Sequence, residues 1–154
     1  MKGRYRDSPR LKEFDYAGSY TYHLTFVTRQ RAPFFKDAEL VVLAEDALHR
    51  AAAKHQFELL AYSFMPDHLH VLVCGSESSA LKDFARFFKQ LSGFAGKRKV
   101  GKPIWQISYY DHILRREEDI EGIARYIWSN PVRAHLAERP SAYPYNGPRP
   151  VADD

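Results

Sequence analysis

The order in which two periodicities alternate along the chain constrains its fold more than any other feature. Tyr20 to Thr28 (YTYHLTFVT) is dense in aromatic and β-branched residues and reads as a strand. Arg29 to Lys36, with Pro33, reads as a loop. Asp37 is a helix cap in front of Leu40, Val41, Leu43, Ala44, Ala47, Leu48 and Ala51, which recur with a 3.6-residue period. Phe57 to Phe64 predicts a second strand, Met65-Pro66-Asp67 a turn, and His68 to Cys74 a third strand. A second helix is predicted from about Ala80 to Gly96, with Leu81, Phe84, Phe88, Leu91 and Phe94 facing inward. A short strand follows at Ile104 to Ile107. Glu117, Glu118 and Asp119 then open a further helix, where carboxylates suit the N-terminal dipole. Pro131 interrupts it, and the proline-rich stretch from Pro140 is expected to lie extended.

This order predicts an α+β, ferredoxin-like β-α-β-β-α-β antiparallel sheet, with helices on one face and an added C-terminal helix. The opposite sheet face is expected to be left free. The 154 residues suffice for one domain with a core and are few for two. A division into a basic arm at 1–16, a domain at 17–139 and a tail at 140–154 is expected. No run approaches the roughly 18 apolar residues of a membrane helix, and the N-terminus has no apolar signal-peptide region, so a cytoplasmic protein without a membrane partner is expected. The single cysteine, Cys74, excludes internal disulfides and multi-cysteine zinc sites.

His68 and His70 lie two residues apart in the third strand, so both imidazoles share one face. Leu69, Val71 and Val73 take the other, which fits the helix-covered side. Two imidazoles so placed can hold one divalent ion, although the spacing is equally that of two half-exposed strand histidines. His23, Gln106, Asp111, His112 and Asn130 are candidates for a further ligand. In the late helix, Tyr126 and Asn130 are four residues apart and share a face if the helix is continuous. Asn130-Pro131 also reads as a cap and first turn of a short helix.

Lys plus Arg exceed Asp plus Glu by 23 to 19, and the sequence pI is near 9.2. The excess is clustered. Lys2, Arg4, Arg6, Arg10 and Lys12 crowd the start; Lys97, Arg98, Lys99 and Lys102 form a second group; Arg115 and Arg116 form a third. Such clusters suit a phosphate backbone, as well as a solvated surface.

Two stretches, MPDHLHVLV at 65–73 and YDHILRREEDIEGIARYIWSNPVRAHL at 110–136, resemble the REP-associated tyrosine transposases. These belong to the HUH superfamily of single-strand DNA endonucleases. YHLTFVTRQRAPFF at 22–35 fits the same family, so the likeness runs over roughly 16–145. The resemblance implies that His68 and His70 bind a divalent ion, Mg²⁺ or Mn²⁺, that Tyr126 is the catalytic nucleophile, and that Asn130 is a third ligand. It implies DNA cleavage and rejoining through a 5′-phosphotyrosine link, on single-stranded DNA with a hairpin of the repeated extragenic palindrome type. Arg4, Arg6, Arg10, Lys97, Arg98, Lys99, Lys102, Arg115, Arg125 and Arg133 are the candidate DNA contacts. Relatives of this kind are monomers or homodimers. Two alternatives stand beside this reading. One is a non-catalytic ferredoxin-like module binding single-stranded nucleic acid; the other is a hydrolase with a His-bound metal.

Overall fold

The computed structural model describes residues 20–114 and 119–153. Lys2, Arg4, Arg6, Arg10, Lys12, Arg115, Arg116, Glu117 and Glu118 lie outside the described residues. In chain order the elements are β1 (Thr21–Val27), α1 (Ala38–His55), β2 (Phe57–Met65), β3 (His68–Gly75), α2 (Leu81–Val100), β4 (Tyr110–Ile113), α3 (Ile120–Trp128), α4 (Asn130–Arg133) and β5 (Asn146–Gly147). The strands form one antiparallel sheet in the order β4-β1-β3-β2-β5. The first four are arranged as a ferredoxin-like sheet, as the sequence predicts.

Alternation along the central strands builds the core. Tyr22, Leu24 and Phe26 of β1 stand opposite Val73, Val71 and Leu69 of β3, and all six side chains are buried against α1 and α2. Asp37 caps α1 by accepting a hydrogen bond from the Glu39 backbone N–H at 3.0 Å. Leu40, Val41, Ala44, Ala47, Leu48 and Ala51 are buried as expected, whereas Leu43 lies at the edge of the stripe and is 39% exposed. In α2 the inward stripe runs through Leu81, Phe84, Ala85, Phe88, Ser92 and Gly96. Phe94, expected inside, is 65% exposed because it lies two residues from Ser92, roughly 200° around the helix and so on the outer face.

The fourth strand is not where the sequence places it. Ile104 and Trp105 are drawn into the core instead, and Trp105 makes only an isolated bridge to Thr28. The Trp105 indole N–H donates to Ser92 Oγ at 2.8 Å, and the ring packs among Phe26, Phe35 and Phe88. The chain then loops out, leaving Ile107 98% exposed, and rejoins β1 as β4 at Tyr110. Apolar composition attracted the strand expectation to 104–107; burial of a large indole beneath α2 outweighs edge pairing there.

The opposite face is not wholly open either. Ile123, Ala124 and Ile127 of α3 pack on Ala61 of β2 and Leu72 of β3, forming a second, smaller core. The stretch from Pro140 also departs from the extended expectation. It makes a 3-10 turn at Pro140–Ala142 and then adds β5 to the β2 edge, pairing Gly147 with Tyr62 and Asn146 with Ser63.

Trp105→Ala is expected to cost about 3–5 kcal/mol in denaturant unfolding, from the cavity it leaves in the core. Ile107→Ala should stay within about 0.5 kcal/mol. Equal effects at the two positions would contradict this account of the 104–107 segment.

Candidate active site

One face of the sheet carries two rows of side chains that matter. Thr25 of β1, His70 of β3 and Ser63 of β2 stand side by side, and Val27, His68 and Met65 form the row beyond. A bulge in β2 between Leu59 and Ala61 brings Ser63 and Met65 into this register. The His68 and His70 rings are 4.9 Å apart between centroids and nearly perpendicular.

Each imidazole is held from behind through Nδ1. Asp67 Oδ1 lies 2.7 Å from His68 Nδ1. Burial alone would raise the Asp67 pKa, but the hydrogen bond from His68, then the charges of His68 and Arg31, hold the carboxyl below its ordinary value. An ionised carboxylate only accepts, so His68 Nδ1 carries the hydrogen, and a neutral ring then presents its lone pair at Nε2. His70 Nδ1 lies 3.2 Å from Thr25 Oγ1 and 3.1 Å from His23 Nε2, which places His70 Nε2 on the far side of that contact.

Asp67 is itself fixed by the loop after β1. Thr28 donates to the Asp67 carbonyl from both its backbone N–H and its hydroxyl, each at 3.0 Å. Arg31 Nε donates to Asp67 Oδ2 at 3.1 Å. Gln30 and Arg31 turn through the left-handed region, with φ of 55° and 53°. Two such non-glycine residues cost on the order of 1 kcal/mol or more each, and here the turn carries the guanidinium back to the carboxylate.

The helices α3 and α4 form the other wall. Pro131 has no N–H to continue the α3 ladder, so the helix breaks at Ser129. The carbonyls of its last turn are satisfied from elsewhere. Ser129 serves Arg125 O, Arg133 Nη2 donates to Tyr126 O at 2.8 Å, and Asn146 Nδ2 donates to Trp128 O at 2.8 Å. Asn130 is not the cap of α4; Ser129 holds that position. Asn130 Oδ1 instead accepts from Arg133 Nη2 at 2.8 Å, and a carboxamide oxygen retains a second lone pair. The Arg133 guanidinium stacks 4.2 Å from the Tyr126 ring centroid.

These walls enclose a pocket of about 520 Å³ whose lining includes His68, His70, Tyr126, Asn130 and Arg133. Six residues singled out from the sequence are thereby brought together, since Gln106 lines it too. His23 stands behind His70, Asp111 is buried at the register position of Leu24, and His112 pairs opposite His23, so none of these three lines the pocket. Arg125 lies away from it, ion-paired with Glu121 at 3.5 Å. Lys97, Arg98 and Lys99 occupy the last turn of α2. Lys99 is bound to Asp37 and Glu39, and Lys102 lies over the Phe34 ring. Lys97 lines a second, shallower groove with Phe94, Trp105, Gln106 and Ile107, and Gln106 belongs to both cavities. Sequence reading missed Arg31, Tyr110 and Thr25 in the pocket and the role of Asp67. Only Asp67, adjacent to His68 in a turn, carried a legible signal.

Among the described residues no three His, Cys, Asp or Glu side chains converge as a metal cage. The donor set is two imidazoles with Nδ1 anchored and one carboxamide oxygen. That set fits a divalent ion completing its shell with water or substrate oxygens.

Residues 17–130 match the family described as Transposase IS200 like. A Haemophilus influenzae protein, provisionally named a REP-associated tyrosine transposase, is 25% identical over 144 residues, covering 86% of this chain and 81% of that protein. The Escherichia coli REP-associated tyrosine transposase is 25% identical over 105 residues, 65% of this chain and 59% of that one. The solved structure of a REP-associated tyrosine transposase bound to a REP hairpin superposes with a TM-score of 0.71 at 21% identity, over 90% of this chain and 82% of the other. That last likeness speaks for the shared fold.

The anchoring of His68 is measurable without substrate. Nitrogen-15 NMR should find the neutral His68 ring as the Nδ1–H tautomer, and Asp67→Ala should shift it toward Nε2–H. An unchanged tautomer would show that Asp67 does not set the ring.

Proposed function

The chain belongs to the IS200-like transposase family, and from that premise we propose that it is a metal-dependent endonuclease and strand transferase acting on single-stranded DNA beside a hairpin of the repeated extragenic palindrome type. The observation that carries this reading is the meeting of Tyr126 with His68 and His70 in one pocket, although they lie on separate elements. The hairpin-bound relative and the curated REP-associated transposases support the substrate class. On this reading 1–16 is a basic arm, 17–139 the transposase domain with 140–154 following it, and the site of action is the cytoplasm.

Tyr126 Oη attacks phosphorus, and the bond from phosphorus to the 3′ oxygen breaks. The 3′ oxygen leaves as a hydroxyl after taking a proton, and the 5′ side stays on the tyrosine as a phosphodiester. An ordinary phenol loses its proton only near pH 10, so the reaction needs charge stabilisation around the phosphate. Arg133 supplies a fixed cation at the pocket wall, already oriented by Tyr126 O, Ser129 Oγ and Asn130 Oδ1. His68, His70 and Asn130 would hold Mg²⁺ or Mn²⁺, which when bound supplies positive charge for a non-bridging phosphate oxygen. The phosphodiester conserves the energy of the broken link, so a second 3′-hydroxyl can reverse the step at the same site.

The groove that shares Gln106 with the pocket offers a path for the unpaired strand. Phe94 and Ile107 expose apolar surface there, and Lys97 and Arg98 supply cations, with Arg98 5.8 Å from the Phe94 ring centroid. Arg4, Arg6, Arg10, Arg115 and Lys102 are further candidate phosphate contacts in this reading. Lys99 and Arg125, neutralised by carboxylates, contribute least.

Incubation with a labelled hairpin oligonucleotide and Mg²⁺ or Mn²⁺ should give a denaturant-resistant adduct that peptide mapping places on Tyr126. Tyr126→Phe should abolish it, and His68→Ala or His70→Ala should lower its rate by about 100-fold or more. Cleavage with no adduct would favour a metal hydrolase, and binding with no cleavage a recognition module.

Hairpin affinity should fall steeply with salt. Replacing Lys97 and Arg98 by Ala should flatten the slope of log affinity against log salt by about 1–2 units. An unchanged slope would place the DNA elsewhere.

A further inference from the structure

We propose that the segment following Pro140 is a positioning strap for the nucleophile, with Asn146 and the Gly147 backbone setting the rotation of α3 through Trp128. The proposal rests on the reading of Tyr126 as nucleophile and adds the residues that aim it.

Apolar packing and hydrogen bonds at Trp128 hold α3. Its middle, Ile123, Ala124 and Ile127, lies on Ala61 and Leu72, an apolar contact that fixes distance to the sheet but resists rotation weakly. Tyr126 and Trp128 are two residues apart, hence roughly 200° apart around the helix, so fixing one aims the other. Trp128 is gripped at both ends. Its indole N–H donates to Gly147 O at 2.8 Å, and its carbonyl accepts from Asn146 Nδ2 at 2.8 Å. Asn146, 1% exposed, also donates to Pro140 O at 3.0 Å, so one carboxamide ties the end of α3 to the start of the strap.

The strap is in turn anchored to the sheet. Tyr143 Oη donates to Phe64 O at 2.6 Å, Phe64 N–H donates to Tyr145 O at 3.1 Å, and β5 pairs with β2. Gly147 sits so close to the Tyr62 phenol that a Cβ there would fall within contact of the ring. Tyr62 cannot yield. Its hydroxyl donates to Glu45 Oε2 at 2.5 Å and meets His49 Nε2 at 3.0 Å. Burial, reinforced by Glu45, keeps that phenol protonated as a donor. A rigid chain of contacts therefore runs from α1 through Tyr62 and Gly147 to Trp128, two residues from Tyr126.

The decisive variants are Trp128→Phe, which keeps an aromatic ring and removes the indole donor together with part of the ring, and Asn146→Ala. For both, three quantities are measured on the full chain: hairpin affinity, the single-turnover adduct rate at saturating hairpin, and amide hydrogen exchange. The expected result is an adduct rate reduced about tenfold with affinity within twofold, because misaiming by a fraction of an ångström acts on the reacting geometry. Amides of α3 should exchange faster, while those of β1 and β3 keep their protection. An unchanged adduct rate overturns the proposal, as does a loss shared equally by affinity and sheet protection, which is general destabilisation. If the wild-type chain forms no adduct, the functional reading fails; the strap then stands on faster α3 exchange in the variants or falls on its absence.

Discussion

Everything in this molecule is referred to the pairing of β3 between β1 and β2. Leu69, Val71 and Val73 are buried on one side of that strand, which leaves His68, His70 and Leu72 no choice but the other. A slip of one residue would put imidazoles into the core and valines into the pocket, so the register is held by the full burial energy of the helix-covered face. The same register aligns Thr25 with His70 and Val27 with His68, so the strand that fills the core also positions the groups behind the histidines.

The second face is built from less. Ala61 and Leu72 offer a small apolar seat, and α3 settles on it with Ile123, Ala124 and Ile127, flanked by the partly buried Tyr126 and Trp128. So narrow a contact leaves orientation to hydrogen bonds at the helix end, where Pro131 has broken the ladder. Ser129, Arg133 and Asn146 satisfy the exposed carbonyls, and each thereby ties Tyr126 to something else: the α4 turn, the pocket cation and the C-terminal segment. The helix break reads as a defect in sequence and acts in the structure as the junction of the site.

Much of the site was legible from residue order alone. Period-two alternation put both histidines on one face, and the Met-Pro-Asp turn ahead of them separated the second strand from the third. The element order predicted the sheet and its two helices. The misreadings share a cause. Ile104 to Ile107 is apolar enough for a strand, but the structure spends Ile104 and Trp105 on the core and exposes Ile107. Phe94 is apolar and follows Leu91 by three residues, yet it lies on the outer face of α2, away from Ser92 and Gly96. Local composition reports that a residue is apolar and says nothing of which surface it meets.

The sequence by itself determined the alternation, the helix stripes and the nature of the chemical groups, because these depend on backbone period and side-chain type within a few residues. Only the tertiary structure decided that Tyr126 meets His68 and His70, that Arg31 reaches Asp67, and that Asn146 and Gly147 hold Trp128. Those contacts join segments tens of residues apart. Their geometry follows from how the two faces of one sheet are covered, which no local pattern encodes.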